Sequence, residues 1–157
     1  MWSDFVLPFW EQYYRGHTTG NRHAHVENLK PVQLKLLEKI GLSSYDPSIS
    51  HDLNPAIISE RCRIPFKWRL GSFHYYNMSI RDVKDFVYQA AADGASSVFT
   101  IVADIMVTDD MKEKVFAFIE AARKAESLLD KGADRELIRE LVSQSGKKKF
   151  WSEWPEV

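Results

Sequence analysis

Apolar side chains recur at two spacings along this chain, and the alternation between them predicts an α/β fold. Near the start, Trp2, Phe5, Val6, Phe9, Trp10 and Tyr13 fall at helical intervals over 2–14, with Ser3 as a candidate N-cap. A loop bracketed by Gly16 and Gly20 follows, and the period then shortens to two. Over 22–27, Ala24 and Val26 share one face while His23, His25 and Glu27 share the other, a strand signal. Val32, Leu34, Leu36, Leu37 and Ile40 then mark an amphipathic helix that opens at Pro31 and stops at Gly41.

The same alternation repeats three more times. A weak strand over 42–50 sets Tyr45 and Ile49 against Asp46 and Ser48, and Asp52 or Asn54 can cap a helix running from Pro55 to about Arg61. The third strand, over 64–73, puts Phe66, Trp68 and Leu70 on one face and Lys67, Arg69 and Gly71 on the other. A capping signal, Ser79 with Asp82, then opens a helix whose inward positions are Val83, Phe86, Val87 and Ala90, closed at Gly94. The fourth strand, over 96–105, is almost continuously apolar, as expected of a parallel strand buried on both faces. Thr108 or Asp109 caps a long helix to about Lys131, and Asp134 opens one more.

Strands separated by helices of this length imply right-handed crossovers and a parallel sheet. The expected architecture is four consecutive βα units, half of a TIM-type (β/α)8 barrel, with an N-terminal helix and an extra C-terminal helix. Nothing in the pattern marks a domain boundary. The expectation is one domain over 1–157, with a half-barrel core over 1–131 and a C-terminal helix and aromatic, basic tail over 132–157. Four strands cannot close a barrel of the usual size, so a homodimer or a separate N-terminal half-barrel partner is expected to cover the open edges.

Composition narrows the function classes. Hydrophobic residues make up 45% and charged residues 27% of the 157, within the globular range. The 21 basic and 22 acidic side chains nearly cancel, which disfavours nucleic acid or an anionic membrane as partner. Cys62 is the only cysteine, so neither an internal disulfide nor a CxxC site can form, and a buried structural thiol is expected. No apolar run reaches the length of a membrane span and none is of signal-peptide type, so a cytoplasmic location is the default expectation. Nucleotide-binding glycine motifs are absent.

Candidate chemistry follows from where parallel α/β folds place it, at the carboxyl ends of the strands. The first strand delivers His23, His25 and Glu27, the second Asp46, Ser48 and His51, the third Arg69 and His74, the fourth Asp104. Two imidazoles two residues apart on a strand point the same way, and with Asp104 or Glu27 they form a candidate site for Zn2+ or another divalent metal. The alternative is a pair of surface or hydrogen-bonded histidines. Asp46 is either a substrate-facing carboxylate or the start of an Asp-Pro turn. Arg69 is a clamp for a substrate carboxylate or phosphate, or a structural partner of Asp46 or Asp104. His74 is an acid–base candidate, or an aromatic packing group with Tyr75 and Tyr76.

A family resemblance adds to this. The run from Phe5 to Trp10, the segment Arg22 to His25, the Leu-rich helix ending at Gly41, the segment Ser79 to Val83 and the Asp93–Gly94 helix end together resemble the second half of the uroporphyrinogen decarboxylase superfamily. The resemblance spans residues 4–125 or thereabouts. It implies decarboxylation of a small carboxylated substrate, or metal-assisted methyl transfer of the corrinoid- or thiol-methyltransferase type, with a corrinoid protein as partner. In the methyltransferase branch zinc is held by a His-x-Cys pair and a later Cys. His23 and His25 match the pair with His in place of Cys, and the last strand offers Asp104 in place of the later Cys. The decarboxylase branch needs no metal, and its catalytic Asp belongs to the half that this chain does not match. The competing expectation is a non-catalytic, truncated barrel domain that binds a partner or small ligand.

Overall fold

A computed structural model describes residues 2–16, 21–48, 50–102, 108–148 and 151. They are mixed α and β, with short strands in two small sheets and helices between the strands. The residues form two compact units, Met1–Lys67 and Trp68–Val157.

In the first unit the opening helix is broken rather than continuous: α1 (Trp2–Phe5) ends at Val6 and α2 (Leu7–Arg15) begins there. Pro8 is the cause, because it lacks the N–H that would bond the Asp4 carbonyl and its ring crowds that oxygen. Strand β1 (His23–His25) pairs in parallel with β2 (Ser44–Asp46), His23 opposite Ser44, Ala24 opposite Tyr45 and His25 opposite Asp46. Between them the predicted helix opens as a 3-10 turn (Pro31–Gln33) and continues as α3 (Leu34–Ile40), ended by Gly41 at φ 72°. That left-handed value costs glycine nothing. Helix α4 (Pro55–Arg61) starts where the sequence places it, with Asn54 Oδ1 accepting from the Ile57 N–H at 2.9 Å.

Alternation decides the β1–β2 faces. Ala24 and Tyr45 are buried, at 5% and 0% exposure, while His23 and His25 are exposed. A slip of one residue would drive the histidines into the core and expel Tyr45, so the register is strongly specified. Leu34, Leu37, Ile40, Ile58 and Phe66 of the same unit are also buried, with Phe66 bridging Tyr45 in parallel. Ile49, paired with Tyr45 in the predicted strand, lies outside the described residues.

The other sheet is formed by β3 (Lys67–Leu70), which lies in the second unit from Trp68 on, and β4 (Ser97–Thr100). The segment expected to be a loop at Tyr75 and Tyr76 is instead a one-turn helix, α5 (His74–Asn77). Helix α6 (Ile80–Ala92) has the predicted reciprocal cap: Ser79 Oγ accepts from the Asp82 N–H at 3.2 Å, and the Asp82 carboxylate accepts from the Ser79 N–H at 3.0 Å. Its inward residues Val83, Phe86 and Val87 cluster with Met111, Phe118, Ala121 and Ala125 of α7 (Asp109–Asp130), and Ala90 is also buried. Ile138 of α8 (Arg135–Arg139) and Val142 complete this core, and α9 (Gln144–Lys148) follows.

Strand β4 departs from expectation. Ser97 is exposed, Val98 to Thr100 are half-buried, and Ile101 and Val102 are 49% and 47% exposed. Among the described residues this apolar run is therefore not buried on both faces, and 103–105 lie outside them. No helix among the described residues is long and apolar enough to cross a membrane.

Candidate functional site

The carboxyl ends of β1 and β2 bring together three of the predicted site residues. The parallel register sets His25 directly opposite Asp46 on the solvent-facing side of the pair, and the Val26 N–H bonds the Asp46 carbonyl at 2.9 Å to hold them there. His25 Nδ1 lies 2.8 Å from Asp46 Oδ2. Its other ring nitrogen, Nε2, lies 3.7 Å from Glu27 Oε1. The side chains of His25 and Glu27 are 53% and 57% exposed, whereas that of Asp46 is 8% exposed. One imidazole thus stands between a buried carboxylate and an open one.

Asp46 is held on both oxygens. Oδ1 accepts the Ser48 N–H at 2.8 Å, closing an Asx turn across Pro47, while Oδ2 faces the imidazole. Of the two sequence readings of this residue, the turn is formed by Oδ1, while Oδ2 is turned to the His25 ring. Ser48 also donates its hydroxyl to Glu27 Oε1 at 3.1 Å. The loop is further fixed by Ser50, whose hydroxyl donates to the Pro47 carbonyl at 2.6 Å and accepts from the Leu29 N–H at 3.0 Å. Two non-glycine residues here have left-handed backbones, Asn28 at φ 54° and Ser48 at φ 45°. Such conformations persist where surrounding contacts over-determine them, and they gather at functional sites.

This arrangement assigns the proton. An ionised carboxylate only accepts, so Nδ1 carries the hydrogen and Nε2 presents its lone pair to solvent. A buried carboxylate that fixes the tautomer and orientation of an exposed imidazole makes that imidazole a directed base, or a directed acid once protonated.

The remaining predicted residues sit apart from this cluster or outside it. His23 points the same way as His25, and its Nδ1 meets Ser44 Oγ at 2.9 Å, again across the register. Asp104 lies outside the described residues. Among the described residues no group of three or more His, Cys, Asp and Glu side chains is placed to hold a metal ion. In the second unit, half-buried Arg69 forms no ion pair among the described residues. His74 is buried at the start of α5, where Nδ1 accepts the Gly71 N–H at 2.9 Å, so its ring closes the turn after β3. Cys62 is buried, as expected, and burial pushes its thiol above the ordinary range.

Sequence reasoning gave no role to Ser44 and Ser48. The signal for Ser44 is the register, which one sequence does not display. For Ser48 it is the Asp46-Pro47-Ser48 turn, recognisable as a turn but not as a link to Glu27. Comparison of the chain with protein-family models, with curated proteins and with solved structures finds no match.

Proposed function

We propose that the carboxyl ends of β1 and β2 form an acid–base site in which His25 Nε2 moves a proton to or from a small carboxylated substrate. The observation that carries this reading is the 2.8 Å contact between His25 Nδ1 and the buried Asp46 carboxylate. In a decarboxylation the departing CO2 leaves an electron pair on carbon, which needs a proton. In the reverse sense the same nitrogen removes a proton next to a carboxyl or carbonyl group. A group positioned this way contributes about 10²–10⁴-fold to such steps.

The four strand–helix repeats support the further proposal that the chain is half of a (β/α)8 barrel related to the uroporphyrinogen decarboxylase superfamily, completed by a second copy. Parallel pairing of β1 with β2 fits that reading, as does the half-exposed apolar run of β4. Light scattering then gives a dimer, and a stable monomer rejects the second copy.

The catalytic test incubates the purified chain with a panel of small carboxylic acids in D2O and follows deuterium uptake and CO2 loss by NMR. Turnover of a panel member that falls about 10²-fold or more in His25→Gln, and substantially in Asp46→Asn, supports the site. Turnover indifferent to His25→Gln overturns it. Elemental analysis of the same preparation gives the competing outcome. Stoichiometric zinc, lost from both His23→Ala and His25→Ala, would replace this reading with metal-assisted chemistry.

A second, non-catalytic reading rests on a different observation. Phe5, Phe9 and Tyr13 recur every four residues and are 68%, 66% and 63% exposed, a row of aromatic anchors of the kind used to dock a partner.

A further inference from the structure

Ser48 grips both carboxylates that flank His25. Its N–H bonds Asp46 Oδ1 at 2.8 Å and its hydroxyl bonds Glu27 Oε1 at 3.1 Å. Asp46 in turn faces Nδ1 of the ring at 2.8 Å, while Glu27 stands 3.7 Å from Nε2, beyond hydrogen-bond distance. One residue thus sets the positions of the two acceptors that compete for the single proton of a neutral imidazole. It does so from a buried position and a left-handed backbone, φ 45°, which serine rarely adopts. That conformation lets its N–H close the turn on Asp46 while its hydroxyl reaches Glu27.

We propose that Ser48 is a positioning residue that decides which nitrogen of His25 is basic. By occupying Glu27 Oε1 it holds the exposed carboxylate away from Nε2, so Asp46 alone takes the ring proton and the Nε2 lone pair stays open to substrate. Without the hydroxyl, Glu27 is free to close on Nε2, capture an N–H there and leave Nδ1 as the unprotonated nitrogen. The base would then be turned inward and blocked by a carboxylate. This rests on the acid–base reading of His25 and names what keeps that base available.

The test is a long-range ¹H–¹⁵N correlation spectrum of the imidazoles in the ¹⁵N-labelled full chain, at alkaline pH where the rings are neutral. The wild type is expected to show His25 with hydrogen on Nδ1. Ser48→Gly keeps the backbone donor to Asp46, relieves the left-handed turn and removes the hydroxymethyl group. It should raise the ratio of Nε2–H to Nδ1–H by about fivefold or more, the factor that one ordinary hydrogen bond provides. Ser48→Asn, which tolerates the backbone and brings a new donor, should move the ratio back. Adding Glu27→Ala to Ser48→Gly should also restore Nδ1–H, because the competing acceptor is gone. An unchanged tautomer in Ser48→Gly overturns the proposal, and so does a change that persists after Glu27 is removed. A variant that unfolds would merge its His25 signal with those of the other histidines, and Ser48→Ala, which also lacks the hydroxyl, then carries the comparison, with the same rise expected and an unchanged tautomer again overturning the proposal. No substrate enters the measurement, so a failed exchange assay and a failed tautomer assay are separate results.

Discussion

Trp151 donates its indole N–H to Asp93 Oδ2 at 2.8 Å, joining residues 58 positions apart. Asp93 ends α6, and the same carboxylate accepts Gln89 Nε2 at 2.9 Å and Arg139 Nη1 at 2.7 Å. The Trp151 ring meets Phe86 and Trp68 edge-on at 5.4 and 5.8 Å. An acid at the end of one helix thus secures the helix pair α6–α8 and an aromatic plug from near the end of the chain.

Removing that acid is expected to cost more than removing the plug's hydrogen bond. Asp93→Ala removes an ion pair of the partly buried Arg139 guanidinium and an acceptor of the indole N–H, a loss of about 2–4 kcal/mol. Trp151→Phe keeps an aromatic ring and loses one hydrogen bond, about 1 kcal/mol plus some packing. Urea unfolding followed by circular dichroism ranks the two, and equal losses would mean that the acid acts only through Trp151.

Gly146 is expected to tolerate no side chain. A Cβ there would lie 2.5 Å from Oδ2, 2.7 Å from Cγ and 2.9 Å from Cβ of Asp85, which is fully buried in α6. Asp85 cannot step aside, because it accepts the Ser143 N–H at 2.9 Å and also the Ser143 hydroxyl. Gly146→Ala should therefore cost about 1–3 kcal/mol through overpacking. In a double-mutant cycle with Asp85→Ala, the second penalty should shrink. Additive losses would show that the clash is relieved elsewhere.

Stability should decline at alkaline pH. Burial, the largest cause, raises the Cys62 thiol above its ordinary value of 9.0, with the Ile64 backbone and the neighbouring Tyr45 hydroxyl offsetting part of the rise. Burial likewise raises Tyr45, Tyr75 and Tyr88 above their ordinary 10.0. The unfolded chain releases these protons first, so above pH 9 or so it binds fewer than the folded chain does, and the unfolding free energy falls as pH rises. The contribution is complete below that pH and is lost as pH climbs through the folded values. Urea midpoints measured from pH 7.5 to 10.5 test the sign. A flat profile across that window contradicts it.

The order of elements was legible because each switch between periods of two and about 3.6 lies near a turn or cap residue, as at Gly41, Asn54, Ser79 and Thr108. What period cannot report is which neighbour an element meets. The run around β4 reads as doubly buried from its composition, yet Ile101 and Val102 are half exposed. The division between compact units falls at Lys67 and Trp68, inside a predicted strand, where composition does not change. In the site, alternation placed His23, His25 and Glu27 on one face. The pairing of His25 with Asp46 needed the parallel register, and the bond from Ser48 to Glu27 needed a left-handed turn. Neither is a property of local spacing.

Tyr45 provides a last prediction, with the opposite sign to most core substitutions. Its ring is fully buried, opposite Ala24 in the β1–β2 register and 6.3 Å from Phe66. Its hydroxyl lies by the Cys62 thiol without making a hydrogen bond of normal geometry, and no other group among the described residues satisfies it. A buried hydroxyl left unsatisfied carries its full desolvation penalty, whereas the ring supplies the packing. Tyr45→Phe keeps the ring and removes the penalty. It should raise the unfolding free energy by about 1 kcal/mol, and it should flatten the alkaline decline, because one of the groups that titrates in the unfolded chain is gone. Cys62→Ala is the control, since it removes the sulfur and opens a small cavity, so it should destabilise. If Tyr45→Phe instead weakens the fold by 1 kcal/mol or so, the hydroxyl is bonded to sulfur, and Tyr45 and Cys62 form a coupled polar pair in the core.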